Sequence, residues 1–424
     1  MSTKSKSNVK EFLPENTSTS NKRRKTCNLK RSSTERVHRS LRPVLMLAQL
    51  IGILPLSGVL GADHSQLKYS KWGLKSIVSI LLLTATSCMV LPTLRYILLK
   101  GLDYKTAGEI MFNVSTGLSI IAFHSLAGRW KALMERWAVV EDAMSGLPTV
   151  NVSGKITILT AYVICASLCE HFLAVLFKKS PCTTGLEQYY KESFKSLFSV
   201  TDFAVWKGLT VSGLYFFFTS AWNFMDLFLM TLSIALSAKF KQLSLELESV
   251  MHLDMDTNYW TKIRETYNKL ALLTKLVDEH ISPLILISFT SNLCFICLQL
   301  LHTIEPVQSI PKMIYSIISF CHLLFRACSV CLTAAGVYDK SKAPMKILFS
   351  VPSSSYNIEV QRLTLQVAFE NLSLTGCRFF CVTRTLLLTV AGTIATYEIV
   401  LLQFNNVSPD YSPTELNCSE FNRD

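Results

Sequence analysis

The chain has 424 residues, 50% of them hydrophobic and 17% charged, with a mean hydropathy of +0.32 and a formal net charge of +12. A soluble protein of this length carries more charge, so a water-soluble globular class is excluded. The apolar residues gather in long runs rather than in amphipathic stripes.

Residues 1–42 are basic and rich in Ser, Thr and Asn, with Lys22-Arg23-Arg24-Lys25, and read as a disordered cytoplasmic tail. No cleavable signal peptide is visible. The next apolar run, Pro43–Ala62, is broken by Gly52, Pro55, Gly58 and Gly61 and reads as a re-entrant or interfacial segment. Seven longer runs follow, at about 76–98, 108–128, 156–178, 205–238, 281–304, 313–338 and 383–404. Each meets the ~20 residues that a crossing helix needs. Away from their ends, the charges in these runs are Glu170, Asp226, Arg326 and Glu398.

The basic residues set the topology. With seven spans and a cytoplasmic N-terminus, the inside carries 31 Lys and Arg and the outside 10. If Pro43–Ala62 also crossed, the split would fall to 22 against 19. The expected fold is therefore an all-α membrane protein with seven transmembrane helices over residues 43–404, the N-terminus cytoplasmic and the C-terminus extracellular. Residues 405–424 form an extracellular tail. The excess of positive charge lies where this rule puts it, so a nucleic-acid partner is unnecessary.

Of the 13 cysteines, most lie in or beside spans, where a thiol acts as a small apolar group. Cys294/Cys297 and Cys328/Cys331 have metal-like spacing but sit in apolar helices without His partners, so neither a metal nor a cofactor is expected. Cys182 and Cys418 both fall outside by topology and are candidates for a disulfide. Asn417 starts a glycosylation sequon in the outer tail. Asn406 starts another, too near the membrane and followed by Pro409.

Three inner segments are amphipathic. Lys239–Ser249 places Phe240, Leu243, Leu247 and Val250 on one side. Tyr259–His280 does so with Ile263, Tyr267, Leu270, Leu273 and Val277. Ile358–Leu374 offers Val360, Leu363, Leu365, Val367 and Phe369. Packing these faces together predicts a cytoplasmic helical bundle. No internal repeat is visible, which weighs against a secondary transporter.

Polar groups within spans are candidate binding residues. They form three groups: Glu170 and His171 in the third span; Asp202, Trp206, Tyr215, Trp222, Asn223 and Asp226 before and within the fourth; Asn292, Gln299, His302 and Tyr315 in the fifth and sixth. Carboxylates and amides match the hydroxyl edge of a sugar, and flat aromatic rings match its C–H faces. Helix–helix hydrogen bonding is the alternative role for each. Glu170 and Asp226 do not make a glycosidase, because Asp226 lies deep in its span and no soluble catalytic domain exists, so no enzyme is expected.

In the last span Thr385, Thr389, Thr393, Thr396, Val400 and Gln403 share one helical face, while Glu398 points away from it. A hydroxyl-and-amide stripe interrupted by an apolar residue suits a pore wall, and one such helix needs symmetry copies to enclose a pore. Packing against neighbouring spans is the other reading.

Thr396-Tyr397-Glu398-Ile399-Val400-Leu401-Leu402-Gln403-Phe404 resembles the signature that ends the last helix of insect gustatory receptors, and the Glu after the Tyr resembles their sugar-receptor branch. Leu168-Cys169-Glu170-His171, Trp222-Asn223-Phe224-Met225-Asp226-Leu227-Phe228 and Ser291-Asn292-Leu293-Cys294-Phe295-Ile296-Cys297-Leu298-Gln299-Leu300-Leu301 resemble the third, fourth and fifth helices of that branch. The resemblance runs from about Leu41 to Phe404. It implies a sugar-gated, non-selective channel for monovalent and divalent cations, a homotetramer or heterotetramer in the plasma membrane of gustatory receptor neurons, including dendrite and cell body. The ligand pocket would lie among spans two to six. Thr389, Thr393, Thr396 and Val400 would line the pore, with Gln403 and Phe404 forming or flanking the gate. A receptor for a bitter compound or carbon dioxide, or a partner subunit of a heteromeric sugar receptor, is the alternative. A G-protein-coupled receptor would place its N-terminus outside, against the charge split.

Overall fold

A computed structural model describes residues 36–61, 63–177, 185–303 and 310–405. Cys182, Cys418, Asn406 and Asn417 lie outside the described residues, as do the side chains of His302 and Phe404.

The first helix, α1 (Val37–Ile51), buries Val37, Leu41, Val44, Leu45 and Ala48 along one stripe against the bundle. It starts ahead of the boundary expected at residue 42, and Pro43 sits inside it. Gly52 ends it in the left-handed conformation (φ 84°), with its N–H bonded back to the carbonyls of Ala48 and Gln49. A short antiparallel hairpin follows, β1 (Leu56–Ser57) pairing with β2 (Lys68–Tyr69).

Then come α2 (Leu74–Lys100), α3 (Tyr104–Ala143), α4 (Ser153–Phe177), the short α5 (Leu186–Ser193) and α6 (Lys195–Phe198), α7 (Val205–Val250), α8 (Thr257–Thr303), α9 (Ile310–Lys342), the short α10 (Pro344–Leu348), α11 (Ile358–Phe369) and α12 (Arg384–Asn405). Among the described residues, six helices are long and apolar enough to cross a membrane, namely α2, α3, α4, α7, α8 and α9. The seventh expected span forms the 22-residue α12.

The 46 residues of α7 extend about 69 Å at 1.5 Å per residue, far beyond a hydrocarbon core of about 30 Å. The apolar window of α7 is 83% buried, against 11% for α4. So α7 is the central post, and α4 lies at the periphery with most of its surface open. α1 packs on α4 and α7, and α7 and α9 lie side by side. Phe123 of α3 meets Phe224 and Phe228 of α7 at 5.4 and 5.3 Å, and Trp130 meets Phe228 at 5.6 Å, which seats α3 on the post.

Where α7 and α8 overrun the apolar runs, Phe240, Leu243, Leu247, Val250, Ile263, Tyr267, Leu270, Leu273 and Val277 are all buried, as their spacing predicts. α11 buries Val360, Leu363 and Val367 beside them, but Leu365 and Phe369 are exposed. Leu365 is two residues from Leu363, about 200° around a helix, so the two cannot share a face. α11 also ends at Phe369, and Leu372 and Leu374 are buried in extended chain instead. Arg264 of α8 donates to Glu359 of α11, and this bond holds the Glu359 carboxyl below the usual carboxylate range.

Candidate functional site

The central polar network is assembled from four helices. Asp226 of α7 accepts from Ser288 Oγ at 2.5 Å and Asn292 Nδ2 at 3.1 Å, both on α8, and lies 2.6 Å from Arg326 Nε on α9. The Arg326 guanidinium also donates to Asn223 Oδ1 and, at 3.2 Å, to Asn292 Oδ1. It lies over the Trp222 ring, 3.7 Å from the centroid. Asn223 Nδ2 reaches Ser167 Oγ of α4 at 2.8 Å. The Asp226 side chain is 0% exposed and that of Arg326 1%. A charge in that position persists only when paired and fully bonded.

A second group adjoins it through α9. Ser319 Oγ donates to Glu170 Oε1 of α4 at 2.6 Å and accepts from Gln299 Nε2 of α8 at 3.2 Å. His322 Nε2 is 3.8 Å from Glu170 Oε2. Ser319, His322 and Arg326 fall at i, i+3 and i+7, so one face of α9 carries the polar residues of both groups. Glu170, Gln299 and Trp222 are half-buried, unlike Asp226.

A third group surrounds Tyr215. Its hydroxyl donates to Glu109 Oε1 at 3.4 Å and accepts from Asn113 Nδ2 at 3.2 Å, and Ser196 Oγ donates to the same carboxylate at 2.6 Å. Phe112 stacks on Tyr215 at 5.8 Å and meets the edge of Trp222 at 6.1 Å, and Trp222 meets Phe295 at 4.9 Å. These rings bridge the Tyr215 group to the Arg326 network.

The structure thus brings together Glu170, Trp222, Asn223, Asp226, Asn292 and Gln299, with Tyr215 alongside. His171 sits edge-on to Phe216 at 5.3 Å. Asp202 and Trp206 are exposed, and Lys207 bonds the Asp202 carbonyl at 2.9 Å and lies 5.9 Å from the Trp206 ring centroid. Those two expected ligand residues stand apart, because they precede or open α7 rather than facing its neighbours. Tyr315 is half-buried on α9.

Arg326, His322, Ser319, Ser288 and Glu109 join the site without having been singled out as binding residues from sequence. The signal was present for α9: a lone arginine in an apolar run, with His and Ser at helical spacing before it. A cavity of about 110 Å³ between α8, α9 and α12 has apolar walls apart from Asn292, and does not have the lining of a sugar site.

On α12, Thr385, Thr389, Thr393, Thr396, Val400 and Gln403 are all exposed on the single chain. The hydroxyls of Thr389, Thr393 and Thr396 donate to the carbonyls of Thr385, Thr389 and Gly392 at 3.0, 2.9 and 2.9 Å. Glu398 is half-buried, off the stripe.

Long apolar helices around a buried polar core define an all-α multi-pass membrane fold. The insect olfactory receptor OR5 from Machilis hrabei shares it, with a TM-score of 0.67 at 14% identity over 87% of this chain and 100% of that one. The trehalose receptor family model matches residues 16–411. Gustatory receptor 5a for trehalose from Drosophila melanogaster is 32% identical over 396 residues, 91% of this chain and 88% of the relative. The gustatory receptor for sugar taste 64f from the same organism is 31% identical over 87% of this chain and 81% of its own length. The chain belongs to the trehalose receptor family, in the sugar-taste branch of the insect gustatory receptors. It is accordingly a multi-pass plasma-membrane chemoreceptor and not an enzyme.

Proposed function

We propose that this chain is a sugar-gated, non-selective cation channel with seven spans, its N-terminus cytoplasmic and its C-terminus outside, acting as a tetramer in gustatory neurons. The observation that carries the reading is the network on α4, α7, α8 and α9. It combines carboxylates, amides and an indole face, the groups that recognise hydroxyls and C–H surfaces together. Two relatives whose names specify trehalose and sugar taste support the ligand class.

Burial divides the work. Asp226 and Arg326 are buried and paired with each other and with protein partners, so they form the rear wall. Glu170, Gln299 and Trp222 are the half-buried groups that sugar hydroxyls and a sugar face can meet. Binding there displaces Ser319 or His322 from Glu170 and so moves α9. The sugar must bind the open state more tightly than the closed one for this to gate the channel.

The test of function is whole-cell recording from heterologous cells expressing only this chain, against a panel of mono- and disaccharides that includes trehalose. Sugar-evoked cation current is expected, and a silent chain at normal surface density rejects the reading. In the same cells Glu170→Gln and Gln299→Ala are each expected to raise the half-maximal sugar concentration about tenfold, the value of one or two lost hydrogen bonds, with surface labelling unchanged. Unmoved dose–response curves would remove both residues from the pocket.

The α12 stripe fits a cation path. The Thr389, Thr393 and Thr396 hydroxyls give their protons to the preceding turn, so the oxygen lone pairs are what remain for an ion. Gln403→Ala is expected to alter unitary conductance or raise spontaneous opening in single-channel records. Unchanged records would place Gln403 outside the gate.

A further inference from the structure

α9 runs unbroken from Ile310 to Lys342. Its middle carries Ser319, His322 and Arg326 into the polar network, and its C-terminal end carries Asp339 and Lys342. Arg326 and Asp339 lie about 20 Å apart along this one helix. A displacement of the network therefore reaches Asp339 as movement of a rod.

The C-terminal end of α9 has two grips. Lys342 Nζ donates to the carbonyls of Val367, Ala368 and Glu370 at 2.7, 2.8 and 2.8 Å, closing the C-terminus of α11. Asp339 Oδ2 lies 2.6 Å from Nε of Arg384, the first residue of α12. Between the grips, α8 holds the connecting chain: Asp278 accepts from the Thr375 N–H at 2.5 Å and from its hydroxyl at 2.8 Å, and Lys275 pairs with Glu370.

These attachments differ in kind. Lys342 and Asp278 each make several bonds to fixed chain, so they act as anchors. Asp339 and Arg384 meet as a single pair, with side chains 33% and 72% exposed. Such a pair contributes little to stability and is easily broken and remade. It is attached to α12 at its base, where a small release tilts the whole helix. It also coexists with an Asp226–Arg326 network closed on itself, so the two belong to one conformational state.

We propose that Asp339 and Arg384 are positioning residues for the last helix: the pair ties the base of α12 to α9 while the network is closed, and parts when sugar displaces α9. The inference rests on the channel reading above. Asp339→Asn, Arg384→Gln and the exchanged Asp339→Arg/Arg384→Asp chain are compared with the wild type by sugar dose–response, current without sugar, and surface labelling. Each single change is expected to lower the half-maximal sugar concentration about threefold, the range an exposed ion pair allows, and to raise the sugar-free current. The exchanged chain returns both toward wild type at equal surface density. Singles without a leftward shift, or an exchanged chain no nearer wild type than the singles, overturn the proposal. A wild-type chain without sugar current overturns the channel reading instead, and this inference with it.

Discussion

Asp226→Ala is expected to remove the receptor from the cell surface rather than merely blunt its response. The carboxylate it deletes has no exposed surface, and it answers the Arg326 charge in the middle of three helices. Without it the guanidinium is left with Asn223, Asn292 and the Trp222 ring, all neutral. Removing one partner of a buried pair costs about 3–5 kcal/mol, a large share of the 5–15 kcal/mol by which a protein is stable. Arg326→Ala is expected to be as damaging for the mirror reason. Arg326→Met with Asp226→Leu removes both charges and most of the desolvation penalty, so the double variant is expected to reach the surface better than either single. Surface biotinylation and size-exclusion profiles of the tagged chain measure this. Normal expression of Asp226→Ala with a lost sugar response would instead make Asp226 a direct ligand contact. A double variant as poor as the sum of the singles would show that the two charges do not depend on each other.

Much of the frame was legible in the sequence, and the reasons are local. The overruns of α7 and α8 were visible because Phe240 to Val250 and Ile263 to Val277 repeat at helical period, and one helix can be read without its neighbours. Leu365 and Phe369 went astray because two periods were merged into one stripe on a short helix. In Pro43–Ala62, Gly52, Pro55, Gly58 and Gly61 mark a break in the sequence, and α1 does end at Ile51 with Gly52 as its left-handed cap. Pro43 sits in the second turn of α1, where it gives up one intrahelical bond without ending the helix.

The site was legible by residue type and only partly by place. Trp222, Asn223 and Asp226 lie within five residues of α7, so their proximity follows from chain geometry. Arg326 is a hundred residues or more further on, and its pairing with Asp226 depends on how α9 docks on α7. The same holds for Asp339 with Arg384 and for Asp278 with Thr375, where the partners belong to different elements and no spacing rule connects them.

A second large effect is expected at Glu141, where three elements meet away from the polar network. Its Oε1 lies 2.8 Å from Lys239 Nζ on α7 and accepts the Val37 N–H of α1 at 2.9 Å. The side chains are 6% and 4% exposed, so this is a buried ion pair. The N-cap residue Arg36 makes no side-chain cap bond, which leaves Glu141 of α3 to cap α1, a carboxylate facing the positive end of the helix. Glu141→Leu removes both the cap and the counter-ion, whereas Lys239→Met leaves the carboxylate its bond to Val37. The first is therefore expected to cost about 3–5 kcal/mol and the second somewhat less. Combining them is expected to recover most of the loss but not all, since the uncapped start of α1 still costs about 1 kcal/mol. Thermal unfolding of the purified chain in detergent, followed by its loss from the size-exclusion peak, ranks the three variants. Additive single and double effects would mean that the charges act independently. A near-neutral Glu141→Leu would mean that water reaches Lys239 and that α1 is held by its apolar stripe alone.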